Sequence, residues 1–202
     1  MVTQVKVGVL ALQGDVREHI VALNECGANA FPVKTYEEIS AIDALVIPGG
    51  ESTTISKLAK SFNLFDLISE RIKDGMPTYG SCAGLILLAN KVEDAIAGQE
   101  SFGGLDVVAR RNAFGRQVDS FEIELEIKGL SAPKFRAVFI RAPWIESIGE
   151  NVELLASFSG HAVAVRQKNL LATSFHPELT SDHRLHRYFL DVICKESLKV
   201  SR

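Results

Sequence analysis

Apolar residues along this chain follow two rhythms, and the change between them falls near residue 100. In the first half, short continuous apolar runs alternate with runs spaced three and four residues apart. Val5 to Leu12 is near-continuous, rich in β-branched side chains and bounded by Gln13-Gly14, which predicts a strand buried on both faces. Asp15 then stands where a helix cap belongs, ahead of an apolar stripe of Val16, Ile20 and Leu23 that Gly27 closes. A short strand is expected near Ala30 to Val33, and a buried one from Ile42 to Ile47, ending at Pro48-Gly49-Gly50. Ser52 or Thr53 is the expected cap of a helix carrying Ile55, Leu58, Ala59 and Phe62. A second helix carries Leu64, Leu67, Ile68 and Ile72 and stops at Gly75. A strand at Pro77-Thr78-Tyr79 and a helical run at Leu85 to Ala89 complete this half. Strand and helix repeated in this way predict a parallel sheet with helices on both faces.

Beyond residue 100 the period shortens to two. Leu105 to Arg110, Phe121 to Ile127, Ala137 to Ile140, Val152 to Phe158, Ala162 to Arg166 and Leu170 to Ser174 read as short strands. Phe121, Ile123, Leu125 and Ile127 alternate with Glu122, Glu124 and Glu126, the mark of a half-exposed, antiparallel strand. Thr180 or Ser181 is the expected cap of a last helix with Leu185, Phe189, Val192 and Ile193 inward. The fold class is therefore α/β: a three-layer αβα sandwich whose mixed, mainly parallel central sheet is extended by antiparallel strands. Residues 1–202 are expected to form one domain, with no repeat or linker.

Composition narrows the function. Apolar residues make up 47% of the chain and charged residues 23%, enough for a large core and against disorder. A formal charge of -3 opposes a nucleic-acid binder that works through a general basic field. Cys26, Cys82 and Cys194 are odd in number and widely spaced, which suits a reducing compartment and opposes a disulfide framework or structural zinc; no metal or cofactor is expected. Met1 to Lys6 leads straight into the first strand, so no secretory leader is expected. No apolar run nears the roughly 18–20 residues that span a bilayer. A cytoplasmic location is the expectation.

One cysteine stands apart. Gly80-Ser81-Cys82-Ala83-Gly84 places a thiol at the apex of a strand–turn–helix, with glycines flanking the nucleophile position as in a nucleophile elbow. The helix that follows directs its N-terminal amides at the sulfur and favours thiolate there. Read alone, the same residues also suit a buried, inert cysteine. Pro48-Gly49-Gly50-Glu51-Ser52-Thr53-Thr54 sits at another strand end, where ligands of open α/β sheets collect. It suits half of an oxyanion hole, with the amides of Gly50 and Ala83 as the two donors. Taken by itself, the turn reads more readily as a plain strand-to-helix turn or a phosphate cradle.

A thiol nucleophile needs a base. Of five histidines, His183 and His186 fall on the polar side of the last helix and are expected to be solvated. His19 lies in a charged stretch of the first helix, and His161 at a turn. His176 follows the apolar segment Leu170 to Phe175 at a strand end, and Pro177 biases it toward extended backbone. In that conformation His176 and Glu178 share a face, so one ring nitrogen can meet the thiol and the other the carboxylate. The reading requires folding to bring His176 to Cys82.

With these three segments the chain resembles the triad-type (class I) glutamine amidotransferases. The likeness is carried by Pro48 to Ser52, Gly80 to Gly84 and Ser174-Phe175-His176-Pro177-Glu178. Further matches are Leu12 to His19, Gly49 to Thr54, Arg111 to Phe121, Phe139-Ile140-Arg141-Ala142-Pro143, and Ser174 to His183. Within that superfamily these are similar to the glutaminase subunits of pyridoxal 5′-phosphate synthases, over essentially the whole chain and with no departure at a position that would carry chemistry. The resemblance implies hydrolysis of L-glutamine to L-glutamate and ammonia, with Cys82, His176 and Glu178 as catalytic residues. It implies substrate contacts from Gly50, Glu51, Ser52, Arg111, Ile140 and Arg141. Arg111 is a sensible partner for the substrate carboxylate, because a guanidinium pairs with it bidentately. The implied partner is a synthase (lyase) subunit in a heteromeric complex that uses the ammonia, and Gln13-Gly14 is placed to respond to docking. The alternatives are a glutaminase serving another synthase, such as that of histidine biosynthesis, and a related cysteine peptidase or chaperone-like protein.

Overall fold

The computed structural model describes residues 4–95, 98–111, 113 and 120–196. Most of the stretch from Arg111 to Phe121 that carries part of the resemblance, at 112 and 114–119, lies outside the described residues, as do residues 1–3.

The first half repeats strand and helix as expected, with one short helix at Tyr36–Ser40 that the pattern did not predict: β1 (Lys6–Leu10), α1 (Val16–Glu25), β2 (Asn29–Val33), α2 (Tyr36–Ser40), β3 (Ala44–Ile47), α3 (Ser52–Ser61), α4 (Phe65–Lys73), β4 (Thr78–Ser81) and α5 (Ala83–Leu88). The second half is mostly strand: β5 (Ala89–Glu93), β6 (Leu105–Arg110), β7 (Ser120–Leu125), β8 (Phe135–Ile140), β9 (Trp144–Ile148), β10 (Glu153–Phe158), β11 (His161–Gln167) and β12 (Leu170–Thr173). A 3₁₀ turn (Pro177–Leu179) and α6 (Arg184–Tyr188), which runs on as a π turn (Phe189–Cys194), complete the order.

Ten strands form one sheet in the order β2-β1-β3-β4-β12-β11-β9-β6-β5, with β10 paired to β11. Ladders from β2 to β12 are parallel, those joining β12, β11, β9 and β6 are antiparallel, and β5 returns parallel to β6. The expected mixed, mostly parallel sheet is thus present. β7 and β8 do not extend it; they pair only with each other and form a separate ribbon.

Strand alternation splits the core in two. Leu45 and Ile47 of β3 face Ile55, Leu64, Ile68, Leu85 and Leu87 from α3 to α5. Ala44 and Val46 face the other side, with Leu23, Phe135, Phe139, Leu185 and Phe189 from α1, α6 and the ribbon. The helices and the ribbon thereby make the outer layers. β3, β4 and β12 are wholly buried along their length, as strands covered on both faces must be.

Two expected caps differ. Ser52 and Thr53 lie inside α3, and Glu51 is its N-cap, its carboxylate accepting the N–H groups of Thr53 and Thr54. Asp15 precedes α1 but makes no side-chain cap, because its carboxylate is turned to His176. At the far end Thr180 Oγ1 accepts from Asp182 N–H, and His183, not Thr180 or Ser181, holds the N-cap position of the last helix, without a side-chain cap bond.

Candidate active site

The site is built where β3, β4 and β12 end side by side. In the β4–β12 ladder Ser81 is level with Thr173, and the Cys82 N–H donates to the Thr173 carbonyl at 2.8 Å. The residues that leave the two strands are therefore neighbours, although the sequence separates them widely. Cys82 takes φ +48° and ψ -98°, a strained conformation that joins β4 to α5 without a linker. Both flanking glycines are sterically required. A Cβ on Gly80 would stand 2.5 Å from the Gly84 carbonyl carbon, and one on Gly84 would stand 2.2 Å from the Ile47 carbonyl oxygen. Cys82 is 7% exposed, and its Sγ lies 3.9 Å from the Ile140 carbonyl oxygen at the end of β8.

Chain direction after β12 is fixed by the His176 N–H, which donates to Val138 of β8 at 2.8 Å. His176 then starts the 3₁₀ turn that contains Glu178. The pair meets through this turn, not through extended backbone: Nδ1 is 2.7 Å from Glu178 Oε1. Cys82 lies near enough for its charge to favour the protonated ring. Asp15 Oδ2 is also 3.5 Å from Nδ1, so Glu178 is the nearer partner. Burial works against protonation of His176, but Asp15, Cys82 and Glu178 outweigh it and push its pKa up to about 12. Burial pushes the Glu178 carboxyl up, and the charge and hydrogen bond of His176 oppose that shift.

Gly49 packs flat against this imidazole. A Cβ there would stand 2.3 Å from His176 Cε1. Gly50 takes φ +153°, and the next amide, of Glu51, donates to Gln13 Oε1 at 2.6 Å. Asp15 N–H donates to the Gly49 carbonyl at 3.3 Å, so Gln13 to Asp15 brace the glycine turn from the side of β1. Ala83 opens α5, where backbone N–H groups have no partner within the helix.

Of the other expected substrate contacts, Arg111 and Ser52 gather around Glu51. Arg111 pairs with Glu51 Oε1 at 3.1 Å and donates to Gln99 Oε1 at 2.9 Å. Gln99 in turn donates to Ser52 Oγ at 3.0 Å. Partial burial raises the Glu51 carboxyl, but hydrogen bonds from Thr54 and Thr53 outweigh it and hold it below the usual range. Ile140 reaches the site through its carbonyl, and Arg141 beside it is exposed with φ +41°.

Sequence reading missed three participants. Gln99 carried no periodic or motif signal. His19, in its charged stretch of α1, is fully buried, and His186 is fully buried, not solvated. The signal for His19 was present: it stands three residues after Val16 and four before Leu23, on the inward stripe of α1.

The chain is similar to known proteins in sequence and in fold. The profile of the SNO glutamine amidotransferase family matches residues 9–195. A protein of Streptomyces coelicolor named pyridoxal 5′-phosphate synthase subunit PdxT is 58% identical over 187 residues, covering 93% of each chain. A protein of the same name from Nocardioides sp. is 54% identical over 201 residues, covering 97% of this chain and all of that one. A crystal structure described as a glutamine amidotransferase superposes with a TM-score of 0.87 at 49% identity, over 94% of this chain and 98% of that one. A Thermoplasma acidophilum protein described as a putative GMP synthase subunit, at 18% identity, shares the fold with a TM-score of 0.68 over 100% of this chain and 99% of that one.

Proposed function

The chain belongs to the SNO glutamine amidotransferase family, and we propose that it is the glutaminase subunit of a pyridoxal 5′-phosphate synthase, with Cys82, His176 and Glu178 as its catalytic triad. As a glutaminase it hydrolyses the carboxamide C–N bond of L-glutamine. The Cys82 sulfur attacks the carboxamide carbon, with the proton the pair shares already held on the His176 imidazole. The amides of Gly50 and Ala83 receive the oxyanion of the tetrahedral intermediate. When the C–N bond breaks, His176 returns the proton to the departing nitrogen and ammonia leaves. Water then attacks the thioester, giving up a proton to His176; glutamate departs and the thiol is restored. Glu178 holds the imidazole in the tautomer that faces the sulfur.

The backbone of Gly50 and Ile140 and the side chains of Glu51, Ser52, Arg111 and Arg141 bind the amino-acid end of glutamine. Arg111 is the group for the α-carboxylate, since its planar fork matches two oxygens. Ammonia passes to a synthase (lyase) subunit in a heteromeric complex, and the names of the relatives favour that partner over the synthase of histidine biosynthesis. Residues 1–202 act as one glutaminase domain. The free thiols of Cys26, Cys82 and Cys194 suit the reducing cytoplasm, and no helix among the described residues is long and apolar enough to cross a membrane.

The observation that carries this reading is the imidazole of His176, 2.7 Å from Glu178 and leaving β12 beside the end of β4 from which Cys82 emerges. Ammonia release from glutamine in the presence of the synthase subunit tests it. The native chain should turn over and Cys82→Ala should not; equal release from both would reject it.

A further inference from the structure

Behind the triad lies a buried polar chain that the chemistry above does not use. His19 Nδ1 is 2.9 Å from His186 Nε2, and His19 Nε2 is 3.0 Å from Ser81 Oγ and 3.4 Å from Glu178 Oε2. Both histidines are fully buried. Glu178 Oε2 and His186 Nδ1 have no hydrogen-bond partner of ordinary geometry among the described residues. Burial, with the charges of His186 and His176, holds His19 well below the usual histidine range, and burial with His183 lowers His186 to about 3. The 3.4 Å contact is therefore no ion pair; it sets a neutral imidazole against a carboxylate.

A neutral imidazole has one donor and one acceptor, so the contacts select the tautomers. If His186 donates from Nε2, then His19 Nδ1 accepts and the His19 proton stands on Nε2, facing Ser81 and Glu178. His186 Nδ1 is then a bare lone pair. The reverse arrangement turns a lone pair of His19 toward the carboxylate and leaves an N–H of His186 buried with no acceptor. It is worse on both counts.

We propose that His19 is a positioning residue for the triad: its Nε2–H bridges Ser81 Oγ and the second carboxylate oxygen of Glu178, and His186 locks it in the tautomer that can do so. Held at Oε2, the carboxylate presents Oε1 to His176. Ser81 directly precedes the nucleophile, so one N–H ties the orienting acid to the elbow. The inference rests on the reading of Glu178 as the orienting member of the triad.

Two measurements test it. In the native chain, nitrogen-15 NMR of labelled histidine should show His19 and His186 both protonated on Nε2 and bare on Nδ1, neutral from about pH 6 to 8. Assignment uses His19→Gln and His186→Gln. A His19 proton on Nδ1 overturns the proposal, even if the kinetic variants fail to fold. In ammonia release with the synthase subunit, His19→Phe should lower kcat about tenfold, about 1.4 kcal/mol, at unchanged KM. His19→Gln, whose amide N–H reaches the Nε2 position, should recover most of it. In a Glu178→Ala background, His19→Phe should change kcat less than about twofold, since the two act as a unit. Equal losses in both backgrounds reduce His19 to a packing residue. If Glu178→Ala alone leaves kcat intact, it is the triad reading that fails; if Glu178→Ala is impaired and His19→Phe is not, only this inference fails.

Discussion

Replacing Gly49 with alanine tests the packing of the site with a single methyl group. Gly49 is not in the left-handed region, so alanine meets no backbone strain of that kind. The new Cβ would stand 2.3 Å from Cε1 and 2.7 Å from Nδ1 of His176. Carbon atoms in contact settle about 3.5–4.0 Å apart, so the ring must retreat by about 1 Å. That motion loosens the 2.7 Å contact with Glu178 or shifts the ring relative to Cys82, since one rigid ring serves both. A reacting group misplaced by about 1 Å costs about 10²-fold in rate. The expected loss in kcat/KM is thus about 100-fold, equivalent to about 2.7 kcal/mol of transition-state stabilisation. Overpacking costs about 1–3 kcal/mol of stability, which lowers the melting temperature by about 2–12 °C in a chain of this size. The assay is ammonia release at saturating synthase subunit, with a thermal melt on the same sample. A folded Gly49→Ala chain that keeps kcat/KM within about threefold of native would refute the reasoning.

Loss of Glu178 should damage turnover less than loss of Cys82: about 10²-fold for Glu178→Ala against at least ~10⁴-fold for Cys82→Ala, because the acid orients and does not attack. Kinetics of the two variants side by side check the ranking, and equal losses contradict it. Gln99→Ala removes a partner of both Arg111 and Ser52; KM for glutamine should rise about tenfold with kcat within about twofold, and a loss confined to kcat would place Gln99 elsewhere in the mechanism. Stability should fall on the acid side. His19 and His186 have depressed folded-state pKa values, so below the unfolded value near 6.5 the unfolded chain binds more protons, with a slope of up to ~1.4 kcal/mol per pH unit for each. His176, raised to about 12, is protonated in both states there and contributes stability that is lost only as pH rises above that window. Denaturant melts from about pH 4 to 7 should therefore show His186→Phe flattening the acid slope; an unchanged slope would show that His186 does not titrate on unfolding.

The strands that carry the site were legible because they are buried on both faces and so read as unbroken apolar runs: β3 and β12 appear within a residue or two of their expected ends. β5 was not, since Ala89-Asn90-Lys91-Val92-Glu93 is a mostly polar strand at the sheet edge that begins where α5 ends. The alternation of β7 revealed its exposed face but not its partner, and it pairs with β8 apart from the main sheet. Cys82 and His176 could be named from their strand-end positions, because parallel neighbours put those ends together. The route from His176 to Glu178 was misread: proline favoured extended backbone, yet the turn that follows brings the carboxylate round. His19 and His186 escaped because a histidine becomes core only when it finds a partner, and these two lie 167 residues apart. Glu51 was read for its likeness to a substrate contact, and its second role as the cap of α3 needed the path of the turn.

The central claim is that His176 serves Cys82 in forming a thioester with glutamine. A glutamine analogue with an electrophile in place of the carboxamide, applied to the complex with the synthase subunit and followed by peptide mass spectrometry, tests it most directly. Label should accumulate on Cys82 and not on Cys26 or Cys194, glutamine should protect against it, and His176→Ala should slow it by at least ~10²-fold. Labelling of Cys82 at the native rate in His176→Ala would contradict the account.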